Sequence, residues 1–194
     1  MVIIIMCLRM LKVPVIGIVM MSIWGCAKSQ TSKSVTPPKS VTSATTEKQS
    51  VTFEAALIIA RLAIAEGKKK GVDHLAVTVV DEAGIPLVVL RTDLGTEQFI
   101  TGATRKAWTA VNFKASTSDV LKTIKSDDGD DGQLPHAQKA LFLMGGVPLK
   151  VGNVVVGGVG VAGSVEGPED DSLAQLAAQA FGTMLGKQKS NVKP

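Results

Sequence analysis

Tyrosine is absent from this 194-residue chain, histidine and cysteine occur twice each, and aromatic residues make up 4%. A phenolate metal ligand therefore cannot occur. Cys7 and Cys26 both lie near the N-terminus, so residues 51–194 contain no thiol. Cysteine nucleophiles, thiolate zinc sites and domain disulfides are excluded there. The G-x-S-x-G elbow of a serine hydrolase is missing, since no glycine stands two residues before Ser164. No Walker-type phosphate loop is present.

The first 25 residues carry Arg9 and Lys12 and no acidic residue. Val13 to Trp24 is an apolar run of 12 residues. Spanning a hydrocarbon core of roughly 30 Å takes about 20 helical residues, so the run is too short. A charged start, a short apolar centre and a small residue at a cut site describe an export signal. The segment Ile23-Trp24-Gly25-Cys26 is similar to a bacterial lipobox, with Trp24 where a small residue is usual. The expectation is a signal over 1–25, cut before Cys26, which then carries lipid. Translation from Met10 gives Met-Leu-Lys and then the apolar run, so Met1 and Met10 both stay open as starts.

Residues 26–50 read as a lipid-anchored disordered linker. Eleven of the 24 residues from Ala27 to Ser50 are Ser or Thr, with Pro37-Pro38 and four lysines. Such a stretch has little to bury. It also holds much of the positive charge. Of 21 basic residues, two lie in the signal and four in the linker, which leaves 15 against 16 acidic residues in 51–194. The basic footprint of a nucleic-acid binder is absent from the domain, and no nucleic-acid partner is expected. Ala27, rather than Asp, follows the cysteine, which points to the outer membrane and periplasm if the cell is Gram-negative. The expected location is the cell envelope, facing away from the cytoplasm.

Residues 51–188 form one domain, with 189–194 as a tail. Thr52 caps a helix to about Lys70, with Phe53, Leu57, Ala60 and Ile64 toward the core. Leu75–Asp81 and Pro86–Arg91 read as a hairpin. A second helix covers about Glu97 to Phe113, with Ile100, Ala103, Ala107, Trp108 and Val111 as its apolar stripe. Ser116-x-x-Asp119 is similar to a capping box and opens a third helix to about Lys125. Ala140–Met144, Val147–Val151 and Val154–Val161 read as three more strands, and Glu169–Leu185 as a last helix. The expected class is α+β, an antiparallel five-stranded sheet with packed helices.

Three features invite sharper readings. Asp127-Asp128-Gly129-Asp130-Asp131-Gly132 has adjacent carboxylates and lacks the distal Glu of a calcium loop, which favours a solvated loop. Gly157, Gly158, Gly160 and Gly163 lie late in a hairpin region with no crossover unit, which favours close packing or strand bends over nucleotide binding. His74 precedes the first strand and His136 follows the acidic loop. Both are candidate metal or haem ligands, with a surface or capping role as the plainer alternative. Met144 and Met184 read as core.

Several segments together resemble the GlcG/HbpS-like family, labelled "haem-degrading domain" and also found at the C-terminus of PduO-type proteins. They are Val79-Val80-Asp81-Glu82-Ala83-Gly84 with Arg91-Thr92-Asp93, then Arg105-Lys106-Ala107-Trp108-Thr109-Ala110. Gly145-Gly146-Val147-Pro148-Leu149, Val156 to Gly163 and Asp170-Asp171 follow in the family's order. The resemblance covers nearly all of residues 52–185. Ala162-Gly163-Ser164 departs from it, since Ser-Gly-Gly is more usual there. The resemblance implies a profilin-like fold, homo-oligomers, and binding of haem or related tetrapyrroles. It does not by itself imply catalysis.

The candidate ligand-binding set is Arg105, Lys106, Thr109, Arg91 and Asp93. Arg105 and Lys106 share a helix face with Thr109 at spacings of four and three. Cations beside a hydroxyl suit a haem propionate or another small carboxylate. Arg91 and Asp93 pair with one another or with the sheet end. Asp81 and Gly84 shape the hairpin. The leading expectation is a lipid-anchored haem-binding or sensing module. Its alternatives are an enzyme acting on haem or a small organic acid, and a partner-binding module with no small ligand.

Overall fold

The two central strands are buried at successive positions, because helices cover both faces of the sheet. A computed structural model describes residues 47–126, 138–164 and 167–191. Cys26, the acidic loop and His136 lie outside the described residues. The described elements are α1 (Phe53–Lys69), β1 (Ala76–Asp81), β2 (Pro86–Arg91), α2 (Glu97–Phe113), α3 (Thr117–Ser126), β3 (Gly146–Val151), β4 (Val154–Ala162) and α4 (Gly167–Asn191). The strands form one antiparallel sheet in the order β2-β1-β4-β3.

Successive side chains of a strand point to opposite faces. Val77, Val79, Val159 and Val161 point to the face packed by α1 and α4, where the main core lies. Ala76, Thr78 and Val80 point to α2 on the other face, against Thr104, Ala103, Ala107 and Val111. The glycines of β4 explain how close α2 comes. A methyl group at Gly160 would strike the Ala103 carbonyl, and one at Gly158 would come within 2.9 Å of the Ala107 carbonyl. The glycine string thus serves close helix–sheet packing.

The Thr52 hydroxyl caps α1 by accepting from Ala55 N at 3.3 Å, and Lys68 and Lys69 suit its C-terminal end. Its buried stripe is Ala56, Ile59, Ala60, Ala63 and Gly67. The expected stripe is thus turned, with Phe53 exposed and Leu57 and Ile64 half-buried. Small residues let the helix approach the sheet more closely than the larger ones would. In the β1–β2 hairpin the Asp81 carboxylate accepts from Ala83 N at 2.9 Å and Ile85 N at 2.7 Å, and Gly84 takes φ 78°.

The expected five-stranded sheet is corrected to four strands among the described residues. Residues 140–144 are not a strand, because their backbone finds side-chain partners on α2 instead of a ladder. Leu141 N donates to the Thr109 hydroxyl at 2.9 Å, and the Ala140 carbonyl accepts from Arg105 Nη2 at 2.6 Å. Phe142 meets Phe113 edge-on, with centroids 5.4 Å apart.

Candidate functional site

The irregular segment 140–144 matters because it leaves a gap between itself, α2 and the start of α4. The gap is a cleft of about 650 Å³, within the ordinary range for small-ligand sites. Phe99, Leu121, Leu141, Leu143 and Met144 supply apolar walls. Arg105, Lys106 and Asp170 supply charge, with Glu97 also lining it.

The floor is built around an ion pair. Lys106 Nζ lies 2.8 Å from Asp170 Oδ2, with side chains 5% and 4% exposed. Lys106 also donates to the Val161 carbonyl at 2.9 Å, and Asp170 Oδ1 accepts from Ser164 N at 3.0 Å. The pair therefore ties α2, β4 and the first turn of α4 together. Gly145, at φ 112°, sits where a methyl would lie 2.8 Å from Asp170 Cβ. Breaking such a buried pair by removing one partner costs roughly 3–5 kcal/mol.

The structure divides the sequence-derived residue set. Arg105 and Lys106 line the cleft. Thr109 is buried, donates to the Arg105 carbonyl and accepts from Leu141 N, so its hydroxyl shapes the wall. Arg91 donates to the carbonyls of Thr92, Asp93 and Gly95 and braces the loop after β2, away from the cleft. Asp93 takes part there through its backbone, and no Arg91–Asp93 ion pair occurs among the described residues. His74 packs its ring on Phe99 at 5.5 Å but does not itself line the cleft. Among the described residues no cluster of three or more metal-ligating side chains occurs.

Met144 and Asp170 are among the contributors that escaped the sequence reading. Met144 is half-buried and lines the cleft, where a core position was expected. Asp170 was visible only as part of an acidic pair opening a helix. The available signal was the pairing of an in-helix lysine with a late aspartate, which spacing alone cannot connect.

A second groove, of about 480 Å³, lies among Val51, Ala55, Ile58, Val156, Phe181 and Met184. It has no charged lining residue, in contrast to the first cleft.

Residues 51–179 match the family model described as "Haem degrading protein HbpS-like". An uncharacterized 15.0 kDa protein of Citrobacter freundii is 31% identical over 109 residues, 54% of this chain and 73% of that protein. A doubly substituted form of Streptomyces reticuli HbpS superposes with a TM-score of 0.66 at 35% identity, covering 75% of this chain and 96% of that one. A PduOC–haem complex superposes with a TM-score of 0.60 at 25% identity, covering 68% and 94%.

Proposed function

The chain belongs to the HbpS-like family, and we propose that its domain binds haem or a closely related tetrapyrrole in the cleft above Lys106. The observation that carries this is a cleft of about 650 Å³ whose walls are apolar and whose floor is cationic and acidic. Leucines, Phe99 and Met144 suit a flat apolar macrocycle. Arg105 and Lys106 suit the acid groups at its edge. Met144 is a lining side chain of a type that ligates haem iron. The structural relative in complex with haem supports the same reading.

A binding module is favoured over an enzyme. The described charged groups of the cleft floor are already paired with one another or with carbonyls. An enzyme acting on haem would consume it with a reductant and oxygen and release iron; a binder would not. The proposal extends to location: the lipobox-like Ile23-Trp24-Gly25-Cys26 supports an exported, lipid-anchored protein facing away from the cytoplasm.

The test is a haemin titration of the full chain followed by the Soret band. The expected result is a saturable, red-shifted band that Arg105→Gln weakens by about tenfold, the loss of roughly 1.4 kcal/mol. Met144→Leu is expected to move the band position. His74→Ala is expected to leave it in place, because His74 does not line the cleft. Free-haemin behaviour throughout would overturn the proposal.

A further inference from the structure

The two ends of the sheet differ in what they expose. At one end lie the β1–β2 turn after Asp81 and the β3–β4 turn after Val151, since Val80 pairs with Pro86, Asp81 with Gly157 and Val151 with Val154. The chain enters the domain at this end. Val51 N donates to the Val156 carbonyl at 2.8 Å, and Glu82 takes a hydrogen bond from the Ser50 side chain. Helix α1 then starts at Phe53. The opposite end, where Ala76 pairs with Ala162, carries the cleft, which Ala162, Gly163 and Ser164 help to line.

Seven large hydrophobic side chains are exposed among the described residues, and four of them belong to the entry end. Phe53 and Ile58 lie on the first two turns of α1, Ile85 on the β1–β2 turn and Val154 at the start of β4, each more than half exposed. The second groove opens there as well, with Gln49, Ser50 and Thr52 lining it beside Ile58, Val151 and Met184. A cluster of exposed apolar side chains marks a contact with protein or membrane. Charge gives this end no strong preference for anionic headgroups, because Glu47, Glu54, Asp81 and Glu82 are set against Lys48, Lys150 and Lys187 at or next to it.

We propose that the end carrying Phe53, Ile58, Ile85 and Val154 docks on a lipid bilayer, with these side chains among the acyl chains and the cleft turned toward the solution. The occupant follows from where the rest of the chain joins. Residues 1–46 run into this end, and Cys26 is among them. The proposal rests on the reading of Cys26 as a lipid anchor, which holds this end beside the bilayer at a high effective concentration. The contact is apolar, so it needs no anionic lipid and survives salt.

The full chain tests this in phosphatidylcholine vesicles that contain a lipid with a photoreactive diazirine in its acyl chain. Mass spectrometry then maps the adducts and the state of Cys26. Adducts are expected at Phe53, Ile58, Ile85 and Val154 at low and high salt, and none at Leu94 or Leu143. Ile58→Ser combined with Ile85→Ser is expected to cut the adducts at Phe53 and Val154 about tenfold. Both isoleucines are exposed, so the fold should survive; if it does not, the pattern in the parent still decides. Adducts confined to residues before 47 would overturn the docking and leave the anchor standing. Adducts at the entry end of a chain whose Cys26 is unmodified would overturn the anchor and keep the docking. Equal adducts at Leu94 and Leu143, or loss of all domain adducts in high salt, would overturn an apolar contact through this end. No domain adducts in a chain that sediments as an oligomer would assign the end to a second copy instead of the bilayer.

Discussion

A methyl group at Gly160 would collide with the Ala103 carbonyl, whereas one at Gly182 would meet nothing within 4 Å. The same substitution should therefore have opposite signs at the two positions. Gly160→Ala forces α2 away from β4 and is expected to destabilise the domain by at least about 1–3 kcal/mol. Gly182→Ala lies inside α4 and is expected to stabilise by about 0.5–1 kcal/mol, through helix propensity and a less free unfolded chain. Urea midpoints of the two variants check this; equal shifts would contradict the packing described for β4. That the glycines serve close packing or strand bends was legible from their place in a hairpin region. Which helix they admit was not, since Ala103 and Gly160 are distant in sequence. Lys106 shows the same limit. Its helix face could be read, but the partner that buries it is 64 residues away.

At the scale of the element, α3 shows a local motif doing what its residues dictate. The Ser116 hydroxyl accepts from Asp119 N at 3.1 Å and donates to Asp119 Oδ2 at 2.7 Å. That hydrogen bond, followed by the one from Lys122, holds the Asp119 carboxyl below its ordinary value of 3.8. A depressed carboxylate adds stability above its unfolded pKa, and that stability is lost as pH falls through the folded value. The helix start should therefore loosen only below the ordinary carboxylate range. Ser116→Ala should move the Asp119 titration, read by NMR, back toward 3.8; an unmoved midpoint would show that Ser116 is not the main cause.

The segment 140–144 is the contrasting case. Its apolar run resembles a strand, yet its backbone partners are the side chains of Arg105 and Thr109, at |i−j| of 35 and 32. No pattern within the segment could reveal them. Thr109→Val keeps the shape and removes the acceptor of Leu141 N. The expected cost is about 1–3 kcal/mol for the unsatisfied N–H, with faster amide exchange at Leu141 than in the parent. Unchanged exchange there would remove Thr109 from the wall of the cleft.

For the molecule as a whole, the layers were legible because helices and hairpins announce themselves within short windows, while the cleft arises where a strand fails to form. The chain's charge also divides by region, with the excess of lysine ahead of residue 51 and near balance after it. That division bears on where the protein acts. Lysines beside an anchored lipid would lie near anionic headgroups, each worth about 1 kcal/mol close to the surface, while a near-neutral domain would feel little of that field. A lipid anchor at Cys26 therefore predicts a protein that stays with membranes in high salt, because insertion of acyl chains is not screened. Cys26→Ala removes the attachment atom and should leave the export signal uncut. Mass spectrometry of the parent should then find an N-terminus at acylated Cys26, and of the variant an N-terminus upstream of it. An unmodified cysteine in the parent, or release from membranes by salt alone, would refute the anchor and leave the haem proposal to stand on the cleft.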